Sequence, residues 1–240
     1  MGKLFEELDY AVTPIGVLSL RRRRELRLGV DAFEIMLDEK FLMTSLFTAS
    51  EVVLARHGLA ACGGAAPDVI VGGLGLGYTA QAVLENPAVN DLIVVEYLSP
   101  VIEWHETGLV PMGRALCEDA RCRLVEGDFF AMAAGVEGFD PGRPGRRFDA
   151  ILADIDHAPD HLLDPRSDSF YRPDGLRALS RHLKAGGIFG LWSNEGADAR
   201  FIDQLGEAFA EAWAEPVTFD NPLTARPFTQ TVYLACKTSD

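Results

Sequence analysis

The chain is predicted to be an α/β protein: a doubly wound, mostly parallel sheet of seven strands with an antiparallel last strand, preceded by a small N-terminal β-domain. Three observations predict it. From Pro67 onward, short apolar runs rich in β-branched residues alternate with helical stretches. The chain closes on two strand-like runs with no room for a helix between them. Residues 1–48 show short alternating runs separated by Gly and Asp-Glu-Lys turns.

"TPIGVLSLRRRRELRLG" and "DAFEIMLDEKFLM" read as two or more antiparallel strands, a β-cap spanning 1–48, and residues 49–240 form the second domain. That domain opens with "SEVVLARHGLAA", a helix with Ser50 as N-cap. The strands "DVIVGG", "DLIVVEY", "CRLVEGD", "FDAILADI" and "GIFGLWS" follow, nearly continuous in apolar residues as suits burial on both faces. The helices are "YTAQAVLEN", "SPVIEWHETGL", "FYRPDGLRALSRHLKAGG" and "DARFIDQLGEAFAEAW", with "KAGG" at 184–187 as a helix stop. "AEPVTFD" and "TQTVYLACK", joined by the loop "NPLTARPF", complete the sheet as an antiparallel pair. "GVEGFDPGRPGRRFD" is expected to be an exposed loop with solvated arginines.

Composition narrows the function. Hydrophobic residues make up 48%, enough for a sizeable core, and Lys+Arg 22 against Asp+Glu 36 gives 22 − 36 = −14. That charge argues against nucleic acid or an anionic membrane as partner. A small cationic ligand suits the field, although solubility alone accounts for it. The four cysteines form no CxxC pair and no zinc-like spacing with the five histidines, so no metal is expected, and the thiols fit a reduced, cytoplasmic protein. No signal peptide opens the chain, and no apolar run reaches the roughly 18 residues of a membrane helix.

The ligand site is expected where the first strand passes into its helix. Gly72, Gly73, Gly75 and Gly77 let the backbone turn sharply and a ligand approach with no Cβ in the way. Glu96 ends the second strand, where an acid accepts ribose hydroxyls. Asp128 ends the third strand and Asp154 the fourth, so three successive strands finish in an acid at one rim. Gly75-Leu-Gly77-Tyr-Thr-Ala80 also fits a loose dinucleotide fingerprint, but the chain lacks a second nucleotide-binding half. An adenosyl thioether or sulfonium fits better.

From about residue 10 to 236 the sequence resembles the spermidine synthase (aminopropyltransferase) group of the class I S-adenosylmethionine-dependent transferases, a Rossmann-like fold. The resemblance rests on "PIGVLSL…FEIMLDEKFLMTS", "GGLGLGYTAQAVLENPAVNDLIVVEYLSPVIEW", "DARCRLVEGDFFAM" and "SFYRPDGLRALSRHLKAGGIF". It implies Gly73, Gly75, Leu76, Gly77, Glu96, Tyr97, Asp128 and Phe129 as the cofactor-binding set. Glu96 would hold the ribose, and Asp128 with Phe129 would meet the adenine. It further implies S-adenosylmethionine or its decarboxylated form as co-substrate, a polyamine or other amine as small-molecule acceptor, and a homodimer.

Three departures bear on the amine site. The family's acid inside the glycine turn aligns with Leu76 when lined up through Thr79. Its "D-S-x-D-P" becomes "DIDHAP", so Asp154 matches the first acid while the second falls on His157, or on Asp156 after a one-residue shift. The aromatic and His-Glu positions of its N-terminal helix are not evident in "ASEVVLARHGL". Asp154, Asp156 and His157 are the catalytic candidates, since an ammonium must lose its proton before it attacks a sulfonium, and a carboxylate or imidazole assists. The same "DIDHAPDH" segment also reads as a polar loop capping the next helix. Tyr78 and Trp104 read as packing residues. The expected function is aminopropyl or methyl transfer to an amine. The alternative is a non-catalytic nucleoside-binding or interaction protein on the same scaffold.

Overall fold

A computed structural model describes residues 4–221, 223–224 and 226–238. Four strands come first: β1 (Phe5–Thr13), β2 (Gly16–Glu25), β3 (Val30–Leu37) and β4 (Lys40–Thr44), an antiparallel sheet in sequence order. Helix α1 (Ala49–Cys62) then leads into the second sheet. Its elements are β5 (Asp68–Gly72), α2 (Tyr78–Leu84), β6 (Asp91–Glu96), α3 (Ser99–Glu106), α4 (Gly113–Glu118), β7 (Cys122–Glu126), α5 (Phe129–Ala134) and β8 (Phe148–Ala153). A 3₁₀ segment (Pro165–Tyr171), α6 (Pro173–Ser180), β9 (Leu183–Ser193), α7 (Ala199–Gly206), β10 (Glu211–Asn221) and β11 (Arg226–Cys236) complete it. The strand order is β10-β11-β9-β8-β5-β6-β7, parallel except for β11, which is antiparallel to both neighbours. The predicted seven-stranded sheet and the β-cap are both present.

The central strands read as apolar runs because helices cover both faces: Val69, Ile70, Val71, Ile93, Val94, Ile151 and Leu152 are fully buried. The two sheets share one core. Leu18, Leu20, Ile35 and Leu37 of the cap pack in the same cluster as Leu54 of α1 and Val71, Leu152 and Val232 of the large sheet. Trp104 of α3 is buried and donates its Nε1–H to Asp9 Oδ2 of β1 at 2.6 Å, pinning the cap from the other side.

Several local expectations are corrected. Thr48, not Ser50, precedes the first turn of α1; Ser50 lies inside the helix, where its hydroxyl meets Glu51 and Gln230. The segment 184–187 is no helix stop: α6 ends at Ser180 and these residues lie within β9, with Gly186 at φ +69 and a register shift opposite β8. The last helix stops at Gly206, and "EAW" begins β10, paired residue by residue with β11. "GRALCE" and "FFAMAA" are short helices that packing stabilises despite their length. Within the loop "NPLTARPF", residues 222 and 225 lie outside the described residues. The arginine-rich loop after α5 is not simply solvated. Arg146 is 9% exposed and bonds Asp68, Asp91 and Asp140 where the parallel strands begin.

Candidate active site at the rim of the sheet

At the C-terminal ends of β5, β6, β7 and β8 lies a cavity of about 410 Å³. Parallel strands deliver their ends to one edge, and the crossovers leave a crevice there. Two glycines of the β5–α2 turn are required by geometry. A Cβ on Gly73 (φ +90) would sit 2.1 Å from the Asp154 carbonyl oxygen, and one on Gly75 (φ +48) would sit 2.8 Å from Met43 Sδ. His105, fully buried in α3, donates Nε2–H to the Gly75 carbonyl at 2.9 Å and holds the turn from below. Burial keeps that imidazole's pKa below its ordinary value, against the pull of the Gly75 bond.

Of the predicted ligand residues, Gly73, Gly75, Glu96, Tyr97, Asp128 and Phe129 line the cavity. Glu96 is 9% exposed; its Oε2 accepts Leu74 N–H at 2.9 Å and its Oε1 accepts Leu98 N–H at 2.8 Å. Burial raises its pKa, while the amides of Leu98, Leu74, Gly75 and Tyr97 pull it back. The carboxylate is therefore fixed in place, each oxygen keeping lone-pair capacity for a hydroxyl. Asp128 caps α5, its Oδ1 accepting from Phe130 and Ala131. Phe129 packs under Gly72 and against Phe139 and Phe170, and it reaches the lining from that cluster.

Leu76 and Gly77 do not line the cavity. Leu76 is fully buried in the core shared with the cap, and its amide donates to Met43 Sδ at 3.2 Å. Gly73, Leu74 and Gly75 are the turn residues that line the cavity, together with Met43 of β4, so the turn presents no acid to it.

The catalytic candidates separate. Asp154 lines the cavity and accepts Thr79 Oγ1–H at 2.5 Å. Asp156 also lines it but is 2% exposed, and its oxygens anchor the following loop: Leu163 N–H at 2.7 Å, Tyr171 Oη–H at 2.7 Å and Ser167 Oγ–H at 3.3 Å. His157 does not line the cavity. Its ring stacks on His161 with centroids 5.2 Å apart and bonds the Phe41 backbone of β4, because the Ala158–His161 bridge turns it toward the cap.

A residue absent from the predicted set takes its place. Glu51, in the first turn of α1, is 6% exposed and lines the cavity with Asp154. Burial and the neighbouring Asp154 charge push Glu51 up to about 7. Burial pushes Asp154 up to about 6 against the pull of Thr79. Two carboxyls so placed hold a proton between them near neutrality. Ser50 Oγ accepts Trp192 Nε1–H at 2.8 Å, and its hydroxyl lies within donating distance of Glu51 Oε2 at 2.7 Å and of Gln230 Oε1 at 2.6 Å. The signal was in the sequence. Glu51, Leu54, Ala55 and Gly58 form the buried stripe of α1, and an acid on an apolar stripe needs a reason. Tyr78, expected to be packing, also lines the cavity, as does Trp192.

No family model matches the chain. Among solved structures, it is similar to a spermidine synthase in complex with the transition-state analogue AdoDATO, with a TM-score of 0.73 and 17% identity over 98% of this chain and 74% of that one. The spermidine synthase from Thermotoga maritima gives a TM-score of 0.71 and 16% identity over 98% and 73%. A probable spermidine synthase from Corynebacterium glutamicum gives 0.62 and 13% over 98% and 81%. Both the large sheet and the cap thus have the spermidine-synthase fold.

Proposed function

We propose that the protein transfers an alkyl group from an adenosyl sulfonium to an amine, with Glu51 and Asp154 as the proton-accepting pair. The observation that carries this reading is the placement of two carboxyls, buried Glu51 and half-buried Asp154, in the same cavity as the glycine turn and Glu96, with no cation paired to either among the described residues. The adenosine lies along the turn, with its ribose on Glu96 and its base beside Asp128, Phe129 and Phe130. The acceptor nitrogen gives its proton to the pair and attacks the carbon next to sulfur. The C–N bond forms, the C–S bond breaks with its electrons going to sulfur, and a neutral thioether leaves. General-base assistance of this kind contributes about 10²–10⁴-fold, and alignment of the reactants more.

The lining also favours one donor. Among the described residues it holds no lysine and one arginine, Arg166, which is paired with Asp164. A donor carboxylate beside Glu51 and Asp154 would meet no compensating charge, whereas a donor amine meets two acids. Decarboxylated S-adenosylmethionine is therefore the better substrate, and aminopropyl the group moved. The test is to incubate the protein with each donor and a panel of amines and to measure thioether release by chromatography. Methylthioadenosine from the decarboxylated donor supports the proposal. Release of S-adenosylhomocysteine alone makes it a methyltransferase, and no release with either donor refutes transfer.

A further inference from the structure

Six acids line the cavity: Glu51, Glu96, Asp128, Asp154, Asp156 and Asp164. Four of them are engaged in holding the protein together. Glu96 binds the amides of Leu74 and Leu98, Asp128 those of Phe130 and Ala131, and Asp156 the amide of Leu163 with two hydroxyls. Asp164 binds the amide and guanidinium of Arg166. Glu51 and Asp154 are held by the hydroxyls of Ser50 and Thr79 instead, and they sit together.

The cap's share of the lining has a different character. It consists of Ile15, Leu18, Ile35, Leu42 and Met43, and Trp192 of β9, bonded to Ser50 of α1, also lines the cavity. No charged or hydroxyl side chain of the cap reaches the cavity among the described residues. An ammonium against this wall would lose its water and gain no partner, which is among the most unfavourable burials a small cation can meet.

Resting on the transfer reading above, we infer that the acceptor carries a single basic nitrogen, the reacting one, on an apolar body that lies against the β-cap. Two carboxylates serve two nitrogens, that of the donor's aminopropyl arm and that of the acceptor. A second ammonium at the far end of an extended diamine has no carboxylate left to meet. The substrate class is thus a lipophilic primary or secondary monoamine, and linear polyamines are poor acceptors.

The experiment compares n-hexylamine with 1,6-diaminohexane, equal in length and differing in the second nitrogen. Affinity for the full chain is measured at pH 7 by calorimetry, with and without saturating methylthioadenosine. Tighter binding of n-hexylamine by tenfold or more supports the inference. Equal or tighter binding of the diamine overturns it, as does failure of n-hexylamine to bind. The methylthioadenosine titration on its own reports on the transfer reading. If the nucleoside fails to bind while the monoamine preference stands, the proposed function falls and the acceptor class survives; nucleoside binding with a diamine preference gives the reverse. Leu42→Glu, on the half-buried β4, places a carboxylate on the apolar wall and is expected to shift the preference at least tenfold toward the diamine. If that variant fails to fold, Ile15→Glu makes the same test at a second partly buried position, and an unchanged preference in a folded variant counts against the inference.

Discussion

The two edges of the large sheet carry the same residue type and treat it in opposite ways. Where the parallel strands begin, Asp68, Asp91, Asp140 and Asp149 are met by Arg123, Arg143, Arg146 and Lys184. Burial pushes the Asp140 carboxyl up, but Arg123 and Arg146 outweigh it and hold the pKa well below the usual carboxylate range. Where the strands end, Glu96, Asp128 and Asp154 meet amides and hydroxyls but no cation among the described residues. The first arrangement is electrostatically complete, with nothing left for a ligand. The second is incomplete, and a cation brought by a ligand would complete it.

This contrast is broken most directly at Asp154. Asp154→Asn keeps the Thr79 hydrogen bond and the side-chain volume, so folding is expected to survive. Transfer should fall by about 10²–10⁴-fold, the usual contribution of a general base. Methylthioadenosine affinity should change less than about threefold, within the spread of small surface effects. Equal loss of nucleoside affinity would mean that Asp154 serves the adenosine end instead.

The opposite edge gives the opposite signature. Arg146→Ala removes the largely buried guanidinium that joins Asp68, Asp91 and Asp140, whose side chain is 1% exposed, and that stacks over Phe148 at 4.9 Å. Removing one member of a buried ion pair costs about 3 kcal/mol or more, which for a chain of this size lowers Tm by roughly 10 °C. Nucleoside affinity at temperatures where the variant stays folded should match the parent. Because Asp140 is depressed in the folded state, its contribution is present above its unfolded pKa and is lost as pH falls through acid. The variant's destabilisation should therefore shrink below about pH 4.

Glu96 stands between these cases, since it is both a structural acceptor and a ligand residue. Glu96→Ala strands the Leu74 and Leu98 amides and removes the ribose acceptor. Hydrogen bonds to a charged group contribute about 1.5–3 kcal/mol, so methylthioadenosine should bind roughly tenfold to a hundredfold more weakly. Turnover at saturating donor should fall less than in Asp154→Asn. The reverse ranking would exchange the roles assigned to the two acids.

How far the sequence reveals this contrast depends on range. Glu96, Asp128 and Asp154 were legible because a parallel strand's end is visible as the end of an apolar run, and parallel strands end together. The sheet and the cap were legible for the same reason, through periodicity. Arg146 was misread because loop composition signals exposure, whereas its burial comes from strand starts at Asp68 and Asp91, distant in sequence. Glu51 was missed because α1 precedes the sheet and its contact with Asp154 spans the chain. The burial of Leu76 outside the cavity was not legible, because a turn of alternating Gly and Leu does not show which leucine packs into the core shared with the cap. The local pattern of "EAFAEAW" suits a helix, while pairing with β11 makes its end a strand.

The smallest effect expected also tests the shared proton. Glu51 is raised to about 7 by burial and by Asp154, from an ordinary value near 4.5. An acid raised in the folded state binds more protons there than in the unfolded chain, so stability declines as pH rises between those two values. Glu51→Gln removes the titration while keeping a group that hydrogen-bonds Ser50. Its Tm should be level with the parent at pH 4.5 and higher by a few degrees at pH 8. A monoamine should raise the parent's Tm more at pH 8 than at pH 5, because the ionised pair is the form that binds an ammonium, and Glu51→Gln should lose most of that difference. If the variant's pH profile instead runs parallel to the parent's, Glu51 is already charged in the folded protein. The site would then already satisfy that charge without a ligand, and the distinction between a complete edge and an incomplete one would disappear.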